Sequence, residues 1–288
     1  MRFGMSGAFL PSRVEDFTPQ MAARVREFGF SGIFTRFTDS DPSDLSDASC
    51  QRFRSILAEH GLRLYQCLMA RPVLIHPDQA TRQEAVRVLQ RVVRAAARLG
   101  ARGVHCGPGS LSLTGAWFPH PYNRTAEAKS NLIASLREVA PVAEGEGIYL
   151  GMEGHQLVTL DGPETMRDVL DAVGSPRVKT DLDPVNWITL STIFGTGDAL
   201  RHMLRTVGHH VIGGHAKDVR IEDRLVVHIN ECAAGTGLLD YPTFLQEVEA
   251  VGTDLPLVVE HCATEELPQV SQFLHQTARE VGIPVHDG

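Results

Sequence analysis

The sequence predicts an α/β protein that folds as a single (β/α)8 barrel of the TIM type. Short strand-like runs alternate with segments of helical periodicity eight times along the 288 residues, an alternation and a length typical of such barrels. No linker, low-complexity tract or shift in composition interrupts the chain, so residues 1–288 are expected to form one domain. A doubly wound open sheet is the competing fold. It would be expected to show a glycine-rich phosphate turn after its first strand, and Gly4-Met5-Ser6-Gly7 is not such a turn.

The predicted strands are short apolar runs bounded by turn residues, as expected for strands that are buried on both faces. One of them, 211–214, contains two glycines, which weaken a strand and often mark a close approach of backbone or ligand. The eight predicted strands cover residues 2–8, 31–35, 63–68, 102–106, 147–152, 177–182, 211–214 and 255–259.

Helices are predicted between the strands from apolar residues that recur at three- and four-residue steps. Thr18 and Asp240 are the expected N-caps of the first and seventh helices, and residues 220–232 are expected to form a polar excursion or a small hairpin. The predicted helices cover residues 18–28, 47–60, 81–99, a segment around 132–143, 162–173, 198–207, 241–251 and 265–281.

The composition limits the class of partner. The chain has 27 Lys and Arg residues against 35 Asp and Glu residues, a formal net charge of −8, which argues against non-specific nucleic-acid binding. Five scattered cysteines without a C-x-x-C spacing favour a reducing, cytoplasmic location over a disulfide framework. No signal-peptide pattern is present and no apolar run approaches the roughly 18 residues of a membrane span, so a membrane protein is not expected.

Four predicted strands end in an acid or a histidine. Glu153, Asp183, His215 and Glu260 end strands five to eight, and the carboxyl ends of barrel strands are where active sites lie. Each residue alone has an ordinary structural explanation, but together they would place three carboxylates at one point, where the charges repel. A divalent cation removes that repulsion. An oxygen-rich set with one imidazole suits Mn²⁺ best, and Mg²⁺, Co²⁺ and Zn²⁺ are the alternatives.

These strand ends resemble those of the xylose isomerase-like TIM barrels, the sugar phosphate isomerase/epimerase family that includes ketose 3-epimerases and inosose dehydratase. The motifs that carry the resemblance are Met152-Glu153-Gly154-His155, Asp183-Pro184-Val185-Asn186, His215-Ala216-Lys217-Asp218, Val259-Glu260-His261 and the turn Gly235-Thr236-Gly237. Family members often carry Asp-x-x-His where this chain has Asp183 and Asn186. The resemblance therefore implies that Asp183 is a metal ligand and that Asp181 lies behind it.

The metal's most economical role is to stabilise the enediolate that forms when a proton next to a carbonyl leaves. The resemblance implies that Glu153 and Glu260 exchange this proton while they also bind the metal. His155 and His105 are expected to orient substrate hydroxyls or to act as a base. Further substrate contacts are expected from a set of polar and aromatic residues near the same strand ends: Asn186, Lys217, Arg220 and Trp117, with Asp218 pairing with Lys217 or Arg220.

The leading function is accordingly an isomerase or epimerase of a keto-sugar or a related polyol, with a small-molecule carbohydrate substrate. The same chemistry on a substrate with a leaving group next to the reacting centre gives a lyase, either a dehydratase or an enzyme that eliminates from 3-oxo-glycosides. A non-catalytic sugar-binding subunit is a third possibility. The resemblance also implies a homo-oligomer as a common arrangement, and it disfavours the DNA-repair branch of the family, which needs more histidines and a basic groove.

Overall fold

A computed structural model describes residues 1–286 and contains ten strands, eight of which form one closed parallel barrel. The strands are β1 (Arg2–Ser6), β2 (Gly32–Arg36), β3 (Arg63–Leu68), β4 (Gly103–Cys106), β5 (Tyr149–Met152), β6 (Val178–Leu182), β7 (Val211–Ala216), β8 (Asp218–Ile221), β9 (Ile229–Cys232) and β10 (Pro256–Val259). Around the barrel, β1 to β7 follow in chain order and β10 lies between β7 and β1.

One helix follows each barrel strand, which confirms the predicted (β/α)8 TIM barrel. The helices are α1 (Pro19–Glu27), α2 (Asp47–Glu59), α3 (Gln79–Arg98), α4 (Ala126–Glu146), α5 (Pro163–Val173), α6 (Thr196–Val207), α7 (Tyr241–Val251) and α8 (Leu267–Glu280). The side chains of Thr18 and Asp240 cap α1 and α7 by accepting backbone N–H groups, as predicted. None of the described helices is both long and apolar enough to span a bilayer.

Two strand boundaries differ from the sequence prediction in ways that affect the site. Strand β1 ends at Ser6 and not at residue 8, because Gly7 and Ala8 adopt positive φ angles of 67° and 52° that take the chain out of the sheet. Strand β7 extends to Ala216, so His215 lies within the sheet and not beyond its end. The expected excursion after β7 is a hairpin in which β8 and β9 pair antiparallel.

A small apolar cluster of two aromatic and two aliphatic side chains lies inside the barrel, apart from the main core. Phe34, Tyr65, Leu68 and Val258 are buried together there. Gly4 leaves room for the Tyr65 ring, because a Cβ at Gly4 would lie 2.8 Å from that ring. The ring of Phe34 stacks under the imidazole of His215 with 6.0 Å between centroids. The interior packing therefore supports the site from below.

Gly214→Ala is expected to destabilise the barrel, since the new Cβ would lie 2.6 Å from the carbonyl oxygen of Leu182 on the neighbouring strand. Backbone cannot yield as a flexible side chain does, and overpacking of this kind costs about 1–3 kcal/mol. The measurement is the free energy of unfolding in urea.

Gly145→Ala is the matched control, because it introduces the same methyl group within helix α4, where no described atom beyond the neighbouring helix backbone lies within 4 Å of the new Cβ. This variant should gain about 0.5–1 kcal/mol, the usual difference between alanine and glycine inside a helix. A Gly214→Ala protein as stable as wild type would contradict the packing described for β7.

Candidate metal centre and active site

Four acidic or imidazole side chains lie together at the carboxyl ends of neighbouring strands. Glu153 follows β5, Asp183 follows β6, His215 lies in β7 and Glu260 follows β10. These strands are consecutive around the barrel, and hydrogen-bonded strands lie only about 4.8 Å apart. All four side chains are buried, and none of these residues is more than 5% exposed. The structure thus brings together every metal ligand that the sequence suggests.

Three carboxylate oxygens face Nδ1 of His215. This nitrogen lies 3.1 Å from Oε2 of Glu260, 3.4 Å from Oε1 of Glu153 and 3.8 Å from Oδ2 of Asp183. One ligand atom from each of the four residues lies within 4.8 Å of the others. Ligands on opposite sides of an ion with bonds of about 2.1 Å are separated by about 4 Å. The cluster has the dimensions of one metal site.

The cluster also contains polar atoms that have no other hydrogen-bond partner. Within residues 1–286, His215 Nδ1 and Asp183 Oδ2 are buried and make no regular hydrogen bond, although Lys217 Nζ forms an ion pair with Asp183 Oδ2 at 2.8 Å. An unpaired buried polar atom is costly in free energy, and a divalent cation at this point would satisfy both. Carboxylate oxygens together with one imidazole nitrogen are suitable ligands for Mn²⁺ and Mg²⁺. The residues therefore fit a divalent metal.

Behind the cluster, one carboxylate is shared between two histidines. Oδ2 of Asp181 lies 2.8 Å from Nε2 of His215 and 3.3 Å from Nδ1 of His105. Nε2 of His105 is in turn 3.1 Å from Oε2 of Glu153. A carboxylate beside Nε2 favours the tautomer that carries its proton there, which leaves the Nδ1 lone pair of His215 directed at the cluster. Asp181 is thus placed to orient the imidazole by charge and proximity, although the 2.8 Å contact does not have regular hydrogen-bond geometry.

Two cationic side chains offset the negative charge of the cluster. Nζ of Lys217 lies 2.8 Å from Oδ2 of Asp183 and 3.1 Å from Oε2 of Glu260. Arg36, the last residue of β2, places Nη2 at 2.5 Å from Oε1 of Glu260. The sequence prediction includes Lys217 but omits Arg36. The signal was present, since Arg36 ends an apolar run in the same way as the other site residues.

Burial and neighbouring charges act on the pKa values in opposite directions. Burial raises the pKa of Glu153, but His105 beside it holds that pKa well below its ordinary value. Burial also raises the pKa of Glu260, and His215 and Lys217 lower it further than burial raises it. Burial lowers the pKa of Lys217, but the surrounding carboxylates raise it well above its ordinary value. Glu153 and Glu260 are therefore held as carboxylates and Lys217 as an ammonium group.

A cavity of about 270 Å³ opens above the cluster. His155 and Trp117 form part of its wall, with 6.4 Å between ring centroids. Asn186 donates a hydrogen bond of 2.9 Å to Oε1 of Glu153 and so holds a ligand oxygen in place. The residues that line the cavity are Arg36, Leu68, Arg71, His105, Trp117, Glu153, His155, Asn186, Lys217, Glu231, Glu260 and His261.

A larger and more apolar cleft of about 710 Å³ continues from this cavity. It shares His155, Asn186 and Glu231 with the cavity. Its other walls include Leu190 and Val227, which are 58% and 48% exposed. A substrate bound at the cluster therefore has an apolar surface next to it.

Two sequence predictions near β8 do not match the structure. Arg220 is exposed on the hairpin and lines a depression beside Phe194, outside the metal cavity. Asp218 pairs with neither Lys217 nor Arg220, so that prediction is wrong. Its carboxylate instead accepts four backbone N–H groups, those of Val219, Gly235, Gly237 and Leu239. A turn tightly bound to Asp218 leaves no room for a cation at that carboxylate.

A second group of potential ligands lies at the opposite end of the barrel. Asp171, in the last turn of α5, has its Oδ1 atom 2.8 Å from Nε2 of His210 and 3.7 Å from Nε2 of His209. Asp171 and His209 are exposed, and Nζ of Lys179 lies 3.5 Å from His210 Nδ1. This group is remote from the cavity, because both histidines precede β7.

Comparison with known proteins agrees with this architecture. A profile of the family described as "Xylose isomerase-like TIM barrel" matches residues 22–277. The 3-oxo-isoapionate decarboxylase of Pectobacterium atrosepticum is 30% identical over 135 residues, 45% of each chain. The chain thus aligns with less than half the length of that relative.

Solved structures with the same fold cover nearly the whole chain. A xylose isomerase-like TIM barrel protein from Mycobacterium smegmatis, in complex with magnesium, is 18% identical with a TM-score of 0.72 and 97% of both chains covered. A D-psicose 3-epimerase from Clostridium cellulolyticum H10, with D-tagatose, is 17% identical with a TM-score of 0.72, covering 98% of this chain and 99% of that chain. At such identities the likeness concerns the fold alone.

Asp181→Asn is expected to lower the affinity for Mn²⁺ about 10- to 100-fold, the usual effect of losing a carboxylate that orients a ligand histidine. The physical reason is that an amide beside His215 Nε2 no longer selects the tautomer with a free Nδ1. Isothermal titration with Mn²⁺ measures the change, and Asp171→Asn serves as the control at the remote histidine group. Equal affinities for wild type and Asp181→Asn would show that Asp181 does not orient the ligand.

Proposed function

The chain belongs to the xylose isomerase-like TIM barrel family, and on this premise we propose that it is a divalent-metal-dependent isomerase or epimerase of a keto-sugar or a related polyol. The observation that carries the proposal is the buried cluster of three carboxylates and one imidazole beneath a sugar-sized cavity. Solved structures of similar fold include a D-psicose 3-epimerase and a 3-keto-D-glucoside 4-epimerase, which support carbonyl-sugar chemistry.

Glu153, Asp183, His215 and Glu260 would hold the metal. When bound, a divalent cation there would polarise a carbonyl and its neighbouring hydroxyl and stabilise an enediolate. Asp183 serves only as a ligand in this proposal. Its second oxygen, Oδ1, accepts the backbone N–H of Val185 at 3.1 Å and is not directed at substrate.

Glu153 is the better candidate for the base that removes the proton. Its Oε1 atom faces His215 Nδ1, while Oε2 lies 3.1 Å from His105 on the other side. Oε2 is therefore held away from the proposed metal position. A carboxylate that binds a metal needs such a second oxygen if it is also to accept a proton. Glu260 divides its oxygens in the same way, but Oε1 lies 2.5 Å from the Arg36 guanidinium. That oxygen of Glu260 is held by a guanidinium that does not release its proton, whereas Oε2 of Glu153 faces a titratable imidazole.

His155 is more suited to donating a hydrogen bond than to accepting a proton. Its Nδ1 atom accepts the backbone N–H of Leu157 at 3.1 Å, which leaves Nε2 as the protonated nitrogen. Burial lowers the pKa of His155 despite the nearby carboxylate of Glu153, so the ring is neutral. His155 would therefore bind a substrate hydroxyl, with Trp117 forming the apolar wall beside it.

A lyase is the second candidate, and the contact between Arg36 and Glu260 favours it. Epimerisation by two carboxylates needs a base on each face of the substrate, whereas elimination or decarboxylation reaches the same enediolate with one base or none. The 3-oxo-isoapionate decarboxylase relative, matched over 45% of its length, is consistent with this second route. The two candidates share the metal cluster and differ in what leaves the substrate.

The proposal is tested by incubating the Mn²⁺-loaded protein in ²H₂O with a panel of ketoses and 3-keto-glycosides, followed by ¹H NMR. The proposed epimerase or isomerase incorporates deuterium next to the carbonyl and forms an epimer or an isomer. Glu153→Gln should reduce this rate about 100- to 10,000-fold, the usual contribution of general acid–base catalysis. Glu59→Gln, an equivalent change on the exposed end of α2, should leave the rate unchanged.

The products separate the two candidates. Release of water, an aglycone or CO₂ without an epimer would assign the protein to the lyases. If Glu153→Gln exchanged the proton at the wild-type rate, Glu153 would not be the base.

A further inference from the structure

We propose that the substrate carries a carboxylate group and that Arg71 binds it. The inference rests on the proposed function and narrows its substrate class from sugars in general to sugar acids. Arg71 lies in the loop after β3 and lines the same cavity as the metal cluster. No hydrogen bond or salt bridge from its side chain is found within the described part of the chain, residues 1–286. Its guanidinium is therefore available to a ligand.

The loop that carries Arg71 is held in place by the loop after β4. The backbone N–H of Leu74 donates a hydrogen bond of 3.0 Å to the carbonyl oxygen of Pro108. Gly109 packs against Val73 so closely that a Cβ there would lie 2.7 Å from the Val73 Cα. Leu74 itself is fully buried. Packing thus fixes the backbone of the loop that carries Arg71, which lowers the part of the entropy cost of ligand binding that comes from ordering the loop.

A bound metal would weaken the ion pairs that the other two cations of the cavity, Lys217 and Arg36, make with carboxylates. Lys217 and Arg36 now face the carboxylates of Asp183 and Glu260. A divalent cation would take those carboxylates as ligands and weaken their hold on both cations. Nε of Arg36 is already buried without a hydrogen-bond partner among the described residues. Arg71 would then be the cation of the cavity that has no carboxylate partner among the described residues.

One carboxylate of the cavity is not a proposed ligand, and it has a partner of its own. Oε1 of Glu231 lies 2.9 Å from Nδ1 of His261, and Oε2 lies 3.6 Å from Lys217. Glu231 therefore does not neutralise Arg71. The unpaired guanidinium of Arg71 favours an anionic substrate group near the β3 loop.

The cavity is built for a carboxylate more than for a phosphate. Its lining residues include no glycine and no residue of the eight helices, from α1 to α8. Phosphate sites in barrels usually use backbone N–H groups of a glycine-rich loop or a helix N-terminus. A planar guanidinium forms two parallel hydrogen bonds with a carboxylate, and Arg71 alone can supply both.

The test compares three ligands that differ only at C6: D-fructose, D-fructuronate and D-fructose 6-phosphate. Binding to the Mg²⁺-loaded protein is measured by isothermal titration and by fluorescence of the tryptophans, one of which, Trp117, lines the cavity. D-fructuronate should bind at least about tenfold more tightly than D-fructose, in keeping with a charge-assisted hydrogen-bond pair. D-fructose 6-phosphate should not exceed D-fructuronate.

Arg71→Gln should reduce the ratio of the D-fructuronate affinity to the D-fructose affinity to about one, and Arg71→Lys should retain part of this ratio. The matched control is Arg94→Gln, which removes the same charge from an exposed arginine on α3 that does not line the cavity. Because Arg71 is exposed, neither variant at this position should disturb folding.

Equal affinity for D-fructose and D-fructuronate in the metal-loaded protein would overturn the inference and leave the proposed function standing. If the protein instead preferred D-fructose 6-phosphate and this preference depended on Arg71, the site would be assigned to a phosphate group of the substrate and the carboxylate inference would be wrong. If the protein bound no divalent metal, the proposed function would be wrong. In that case the carboxylate site would still be supported if the metal-free protein preferred D-fructuronate and this preference depended on Arg71.

Discussion

The burial of three carboxylates around one imidazole is the constraint on which the rest of the site depends. Glu153, Asp183 and Glu260 would repel one another in a region of low dielectric constant unless positive charge lay between them. The chain supplies part of that charge through Lys217 and Arg36, each in contact with at least one of the carboxylates. Among residues 1–286, His215 Nδ1 makes no hydrogen bond and Asp183 Oδ2 has only its ion pair with Lys217, and a cation would occupy the position between these two atoms.

The packing beneath the cluster fixes its geometry. Phe34 stacks under His215, and Asp181 lies beside His215 Nε2, so the imidazole is held both from below and from the side. Glycine at position 4 makes room for the Tyr65 ring in this layer. Since the oxygens of Glu153 and Glu260 point partly to the cluster and partly to His105 and Arg36, this arrangement would separate the proposed metal binding from the proposed proton transfer. The site is asymmetric because a guanidinium faces only Glu260.

The fold and the meeting of the four strand ends follow from the sequence, because parallel strands of a barrel present their carboxyl ends at one edge. Contacts that depend on long-range packing cannot be predicted from the sequence in this way. Arg36 meets Glu260 only because the closing barrel brings together residues 224 positions apart, and nothing local indicates that pairing. The hairpin of β8 and β9 directs Arg220 outwards, whereas proximity in sequence to Lys217 suggested a shared site. Arg71 shows no motif at all, and only the cavity lining reveals it.

A crystal of the protein soaked with Mn²⁺ and measured for anomalous scattering tests the central claim most directly. We expect one strong anomalous peak bonded to Nδ1 of His215 and to carboxylate oxygens of Glu153, Asp183 and Glu260, at the roughly 2.1–2.2 Å typical of divalent metal–oxygen bonds. The number of nitrogen ligands distinguishes the two possible sites. The strand-end cluster offers one imidazole, whereas the remote group of Asp171, His209 and His210 offers two. A peak at that remote group with none at the strand ends would contradict the account.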